Sequence, residues 1–268
     1  MKFLWLILFV LTIFFNSVSA QEFSSNAYSE ALSGAVSCLS GIYASRGNPA
    51  GNISENFSAS ISYFDRYQLK EVSQKSAAVL IPCFNGCFGA DFNYLGFKLF
   101  NQIQGGINYA MKLSEKISGG IKINYHNLHI NNSAEKFYAV SAEVGIIVCP
   151  MENFLIATFV ANPTNSQFNS VDTVLMSKIQ IGMMYKFCSS GFVCLDFEKQ
   201  SIFDNVDVRF SAASYLNKYL EIQGGFSTFP FNVSLGFGVK IENLRMQFST
   251  KRDNYLGFMP SVTLCWGE

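Results

Sequence analysis

Apolar and polar residues alternate along most of this sequence, from about Phe57 almost to its last residue. The alternation is nearly unbroken in residues 102–114 and 231–242. Successive side chains of a β-strand point to opposite faces, whereas a helix would mix the two sets. The pattern therefore predicts strands with one apolar face and one polar face. In the second stretch the apolar set is Phe231, Val233, Leu235, Phe237, Val239 and Ile241.

The alternation and the turn residues together predict about fourteen strands. Most are close to the roughly 9–11 residues that a tilted strand needs to cross a membrane. Tight connections alternate with others, several of them longer, as is typical of bacterial outer-membrane barrels. The predicted strands are 56–65, 73–83, 87–98, 102–114, 117–127, 135–148, 153–162, 174–187, 192–199, 205–214, 219–228, 231–242, 244–251 and 255–266.

The chain is poor in charge, with 14% charged residues against roughly a quarter in soluble domains. The polar faces of the strands carry mostly Gly, Ser, Asn and Gln. We therefore predict an all-β fold, a transmembrane antiparallel up-and-down β-barrel over residues 55–268, with outer-membrane lipid around it. The alternative is a soluble periplasmic β-sandwich, which would bury Ile107 and Phe237 against a second layer of protein.

Residues 1–20 have the pattern of a secretory signal peptide. Lys2 precedes an apolar run from Phe3 to Phe15, and small residues at 18–20 suit cleavage. A membrane anchor is the alternative, but the run is shorter than the roughly 20 residues that a spanning helix needs. The segment predicts export, and with the barrel it predicts the cell outer membrane.

Residues 21–54 lack the strand alternation and are rich in Ser, Ala and Gly. They predict a short helical or turn-rich segment that ends in a tight turn near Asn48–Gly51. Such a segment could hang in the periplasm. By analogy with plugged barrels, we expect it to enter the lumen.

The composition favours neither a nucleic-acid partner nor an enzyme. Lys plus Arg and Asp plus Glu are both 19, so there is no net charge to attract nucleic acid. No Ser-His-Asp set, phosphate loop, dinucleotide fingerprint or zinc-protease motif stands out. With no CxxC motif and only His126 and His129 as histidines, we predict no metal site and no cofactor. His126 falls on a polar strand face and could line a lumen.

The seven cysteines form an odd set, so at least one lacks an intramolecular disulfide partner. We expect mostly reduced, packed thiols. Cys83 and Cys87 flank a tight turn and could face each other across it.

Eleven charged residues fall on the strand faces expected to point into the lumen. They could pair across strands as part of the wall, or they could form a constriction selective for a solute. These candidate lumen-facing charges are Lys112, Lys122, Glu143, Lys178, Asp196, Glu198, Asp207, Arg209, Glu221, Lys240 and Arg245.

Several short motifs resemble those of known barrels. The N-terminal motifs are similar to the N-terminal signature of FadL-type fatty-acid-transporter barrels, and more closely to PorV/PorQ-type proteins of the Bacteroidota. Later pieces resemble the hairpins and closing strand of such small barrels. The N-terminal motifs are Gly34-Ala35-Val36, Ile42-Tyr43-Ala44 and the turn Asn48-Pro49-Ala50-Gly51. The later ones are Tyr94-Leu95-Gly96-Phe97-Lys98, Ile107-Asn108-Tyr109-Ala110, Lys112-Leu113-Ser114-Glu115-Lys116 and Gly257-Phe258-Met259-Pro260-Ser261.

The two resemblances imply different functions. The FadL-type resemblance implies a plugged barrel with lateral or gated passage of a small solute that could be hydrophobic. The PorV-like resemblance implies a non-conducting barrel that acts as a binding platform in type IX secretion, with secretion-system proteins as partners.

Overall fold

The computed structural model describes residues 26–131, 137–169, 175–188, 191–253 and 257–267. Fourteen antiparallel strands form one closed barrel. The expected signal peptide lies outside the described residues. The strands are β1 Ser58–Phe64, β2 Gln74–Cys83, β3 Gly86–Phe97, β4 Phe100–Ser114, β5 Ile117–Ile130, β6 Phe137–Met151, β7 Phe154–Ala161, β8 Lys178–Cys188, β9 Gly191–Gln200, β10 Val206–Tyr215, β11 Leu220–Thr228, β12 Phe231–Ile241, β13 Leu244–Asp253 and β14 Gly257–Trp266.

Each strand pairs with its sequence neighbours, and β1 pairs with β14 to close the ring. In that closing pair Ala59 lies opposite Trp266 and Phe64 lies opposite Ser261. The predicted up-and-down barrel of about fourteen strands is confirmed. The largest difference in a strand boundary is at β8, which begins at Lys178 rather than at residue 174.

The apolar side chains of the strands point outward. Ile107 is 69% exposed and Phe237 is 47% exposed, so neither is buried against a second layer of protein. The β-sandwich alternative is therefore wrong. An outer face this rich in large exposed apolar side chains is suited to hydrocarbon rather than water. Helices long and apolar enough to span a membrane are absent from the described residues.

The N-terminal residues 26–52 lie inside the ring. They contain one short helix, α1 (Ala27–Ala31), and 3-10 turns at Gly41–Ala44 and Pro49–Gly51. Helix α1 contacts β11–β14, while the turn at Pro49–Gly51 contacts β4, β5 and β6 on the opposite side of the barrel. The segment, called the lumen segment below, therefore crosses the interior from wall to wall.

The interior changes character along the barrel axis. Toward the end where the tight turns lie, the lumen segment packs against apolar wall residues such as Leu80, Ile147 and Met184. Toward the opposite end, with the longer loops, the buried wall residues are polar, for example Gln74 and Asn93. The lumen segment therefore rests mainly on the tight-turn half.

The cysteines at positions 38, 83, 87, 149, 194 and 265 form no disulfide. Cys83 is exposed and Cys87 is buried. Cys83 pairs with Gly86, and Cys87 pairs with Pro82. The two thiols therefore do not face each other, because neighbouring register positions point to opposite faces of a sheet.

Candidate functional site

The turn at the end of the lumen segment is fixed to the barrel wall by Asn48. This residue is fully buried, and its Oδ1 accepts a hydrogen bond from the Ala50 backbone N–H at 3.0 Å. Its Nδ2 donates to the carbonyl oxygen of Ser37 at 2.9 Å. The same nitrogen lies 3.2 Å from the carbonyl of Ile146 and 3.4 Å from that of Thr158, on β6 and β7. One amide therefore shapes the turn and attaches it to the wall.

Two wall glycines allow this turn to approach the barrel backbone. A Cβ at Gly120 would collide with the backbone of Pro49, and a Cβ at Gly145 would collide with Asn48 Oδ1. Glycine is required at these two positions by the close approach of the turn, through its backbone at Gly120 and through the Asn48 side chain at Gly145.

The first group of ionic anchors lies on β3 and β5. Lys122 is 2% exposed, and its ammonium pairs with Asp91 at 2.5 Å. The same ammonium donates to the carbonyl of Ser45 at 2.9 Å. Arg46 of the lumen segment donates to Gln104 at 2.8 Å and lies 4.0 Å from Asp91. The lumen segment is therefore part of this ion-pair network.

The second group lies on β8, β9 and β10. The guanidinium of Arg209 pairs with Glu198 at 2.5 Å and with Asp207 at 2.7 Å. It also donates to the carbonyl of Gly34 at 3.1 Å. Lys178 lies 3.6 Å from Glu198. Two carboxylates thus orient Arg209 toward the lumen segment.

The remaining anchors hold the helix and the residues that follow it. Tyr28 donates to Glu221 at 3.0 Å, and Arg245 donates to the hydroxyl of Tyr43 at 3.2 Å. Arg245 also lies 3.7 Å from Glu221, so the two wall charges pair with each other. The rings of Tyr28 and Tyr43 stack, with centroids 4.4 Å apart.

Asp196 provides a further attachment near the middle of the lumen segment. Its carboxylate accepts the backbone N–H of Ser37 at 3.0 Å and the amide of Gln180 at 2.6 Å. Gln180 in turn donates to the carbonyl of Gly34 at 3.0 Å.

The structure separates the eleven candidate charges into two sets. Lys112 is exposed, Lys240 is half-buried, and Glu143 is half-buried where it accepts a hydrogen bond from Asn124 at 2.6 Å. The other eight take part in the ion pairs and anchors described above. Five of them bond directly to the lumen segment: Lys122, Asp196, Arg209, Glu221 and Arg245.

Sequence reasoning missed Asp91 and the polar residues of the lumen segment. Asp91 shares the inward register of Asn93 on β3, so the same alternation that identified Lys122 could have identified it. Arg46, Tyr28 and Tyr43 carry no periodic signal, because the lumen segment is irregular.

His126 lies in the lumen wall and is 8% exposed. Its Nε2 lies 2.9 Å from the hydroxyl of Ser141. Among the residues that the structure describes, no group of three or more His, Cys, Asp or Glu could hold a metal ion. The polar and charged groups of the interior described above therefore serve mainly to hold the lumen segment by hydrogen bonds and ion pairs.

Fold and interior together define a plugged β-barrel. Neither models of protein families nor curated proteins give a match to the sequence. Solved structures do match in fold. The toluene transporter TodX of Pseudomonas putida has a TM-score of 0.66 at 10% identity, covering 93% of this chain and 98% of that one.

Two further solved structures are similar to this barrel in fold. A TodX deltaS2S3 mutant, described as a monoaromatic hydrocarbon channel, has a TM-score of 0.70 at 10% identity over 91% of this chain and 99% of that chain. A FadL homologue of Pseudomonas aeruginosa has a TM-score of 0.64 at 8% identity over 92% and 99%. The barrel is therefore similar to these barrels in fold.

Proposed function

We propose that this protein is an outer-membrane channel for a small hydrophobic solute, and that the lumen segment is its closed gate. The apolar outer face and the alternation of tight turns with longer loops support the membrane setting. We place the tight-turn end in the periplasm, as in bacterial barrels with short periplasmic turns. The fold is shared with structures described as hydrocarbon and toluene channels.

The observation that carries the proposal is how the lumen segment is held. The described contacts are hydrogen bonds, ion pairs and apolar packing, and Cys38, the cysteine of the lumen segment, forms no disulfide. Contacts of this kind can be exchanged without breaking a covalent bond. A shift of the lumen segment would therefore open a path along the wall.

The apolar half of the interior supports a hydrophobic solute. Leu80, Ile147 and Met184 now pack against the lumen segment. If the segment moved, these side chains would face the path, and a hydrophobic solute could replace its contacts. This exchange would offset part of the cost of displacing the segment.

The proposal is tested by uptake of a radiolabelled monoaromatic hydrocarbon into Gram-negative cells that carry the barrel in their outer membrane. We expect uptake several-fold above cells with an empty vector. Asn48→Ala should increase it further, because the loss of buried hydrogen bonds destabilises the closed position by about 1–3 kcal/mol. The control is Asn56→Ala, at an exposed position outside the lumen segment.

Uptake at the empty-vector level, with normal amounts of folded barrel in the membrane, would contradict a channel. That result is what a non-conducting platform for type IX secretion predicts. The platform rests on the PorV/PorQ-like motifs of the sequence, and the fold comparisons add no support to it.

A further inference from the structure

A groove of about 500 Å³ indents the outer surface of the barrel across β4–β7. It lies near the tight-turn end, and its lining is almost entirely apolar. The side chains of Met111, Leu113, Ile121, Val144 and Ile146 form most of it.

Two local features produce the groove. Gly119 stands at an outward position of β5, and a Cβ there would meet only the Leu113 side chain, at 3.0 Å. The register between β4 and β5 also shifts between Lys112 and Ser114, which leaves Leu113 as an extra residue. A missing side chain beside a β-bulge leaves a depression in the surface.

The floor of the groove is a single layer of backbone. Gly120 and Gly145 belong to this wall, and on its inner side they face Pro49 and Asn48. The turn of the lumen segment therefore supports the wall from inside at a place where two wall residues carry no side chain. Because the turn occupies the inner side, the thin wall keeps its shape and the depression stays open on the outer side.

We propose that the groove binds one acyl chain of a phospholipid from the leaflet at the tight-turn end. The groove opens on the outward apolar face, where hydrocarbon is the neighbouring medium. An unfilled depression loses dispersion contacts, and a flexible acyl chain can supply them.

The charges at the end of the groove fit a zwitterionic headgroup. Lys116 lies in the turn between β4 and β5, and its ammonium is 3.4 Å from the carbonyl of Pro150. Glu115 and Glu152 are exposed in the turns at the same end. Cations and carboxylates side by side can meet the phosphate and the ammonium of phosphatidylethanolamine.

The test uses the full barrel in vesicles of phosphatidylethanolamine and phosphatidylcholine that contain a phosphatidylethanolamine with a photoactivatable acyl chain. After irradiation, labelled peptides are mapped by mass spectrometry. We expect Met111, Ile121 and Val144 to be labelled several-fold more than Val233 and Leu235, which are exposed on the outer face of β12.

Gly119→Leu fills the groove and should reduce the labelling of its lining to the level of β12. The matched control is Gly105→Leu on β4, which lies outside the groove and where a Cβ would meet only the backbone oxygen of Asp91, at 4.0 Å. Even labelling around the barrel, or an unchanged pattern in Gly119→Leu, would overturn the proposal.

The proposal rests on the membrane setting of the proposed function but does not depend on solute passage. Labelling of Val233 and Leu235 reports membrane insertion by itself. A barrel that is labelled evenly but takes up hydrocarbon would refute only the lipid site. A barrel with the enriched pattern but no uptake would refute only the channel.

Discussion

At the scale of single residues, most of the buried charges of the lumen are arranged in ion pairs. Removing one partner from such a pair costs more than the pair contributes, because the remaining charge stays buried without compensation. Lys122 shows the arrangement most clearly, since its ammonium contacts both Asp91 and the carbonyl of Ser45. The charges therefore hold the lumen segment in one position.

Lys122→Met should destabilise the folded barrel by about 3–5 kcal/mol, because it leaves Asp91 buried with a weaker partner. Denaturant-induced unfolding in lipid vesicles measures the effect. Adding Asp91→Asn should restore most of the loss, since the uncompensated charge is then removed. The control is Lys112→Met, on the same face but exposed. Equal destabilisation by the two lysine substitutions would contradict the anchoring role.

The sequence was informative about these residues only on the barrel side. Strand alternation gave the inward register, so the positions of Lys122, Glu198 and Arg209 could be predicted. Their partners in the lumen segment could not be predicted. Ser45 and Gly34 accept these hydrogen bonds through backbone carbonyls, so their residue types give no indication of the contact. Within the lumen segment, only the turn at Asn48–Gly51 could be predicted, since its residue types indicate a turn even where apolar and polar residues do not alternate.

At the scale of elements, the connection between β7 and β8 differs from its prediction, because the predicted strand begins at residue 174 and β8 begins at Lys178. The alternation is broken here, since two apolar residues, at 175 and 176, precede two polar ones, at 177 and 178, and residues 175–177 are not in the strand. Leu175 instead donates to the carbonyl of Ser166 at 2.9 Å, and Ser177 donates to that of Asn162 at 2.7 Å. Local loop hydrogen bonds outcompete strand pairing there, whereas the other strands follow their period closely.

Asn162→Ala should loosen this connection. Asn162 has a φ of 51°, a conformation that Asn tolerates better than Ala. Its side chain donates to Leu175 and accepts from the N–H of Ser166, both at 2.9 Å. We expect limited proteolysis within residues 162–177 to be about tenfold faster, from a loss of about 1–2 kcal/mol. Thr164→Val removes hydrogen bonds of an exposed hydroxyl, to Asn162 Oδ1 at 3.4 Å and to the hydroxyl of Ser166 at 2.9 Å, and leaves the bonds of Asn162 to the backbone in place. It should therefore change the rate far less, and similar rates in both variants would refute the assignment.

At the scale of the whole molecule, the barrel and the lumen segment form one packed body. Cys38 of the segment and Cys194 of the wall lie in the same buried apolar cluster. The cluster joins residues that are far apart in sequence, which alternation cannot reveal. The sequence could therefore predict the ring, but the placement of residues 26–52 depends on surfaces that exist only after the ring has formed.

Thiol labelling of the folded barrel tests this arrangement. A maleimide should react rapidly with exposed Cys83, while Cys38, Cys87, Cys194 and Cys265 react only after unfolding. A light maleimide is added to the folded protein for increasing times, and a heavy one is added after denaturation. Peptide mapping then gives, for each cysteine, the fraction that reacted in the folded state. If Cys38 reacts as fast as Cys83 in the folded protein, the lumen segment does not occupy the interior.

The pairing of β1 with β14 has a consequence for biogenesis. Its partners, such as Ala59 and Trp266, are separated by most of the described chain. Until the last strand has been synthesised and delivered, two strand edges remain unpaired, and hydrocarbon does not tolerate such edges. A chain that loses β14 through a premature stop codon would keep thirteen strand sequences yet be unable to enter a bilayer as a sealed cylinder, and we expect it to be degraded before insertion.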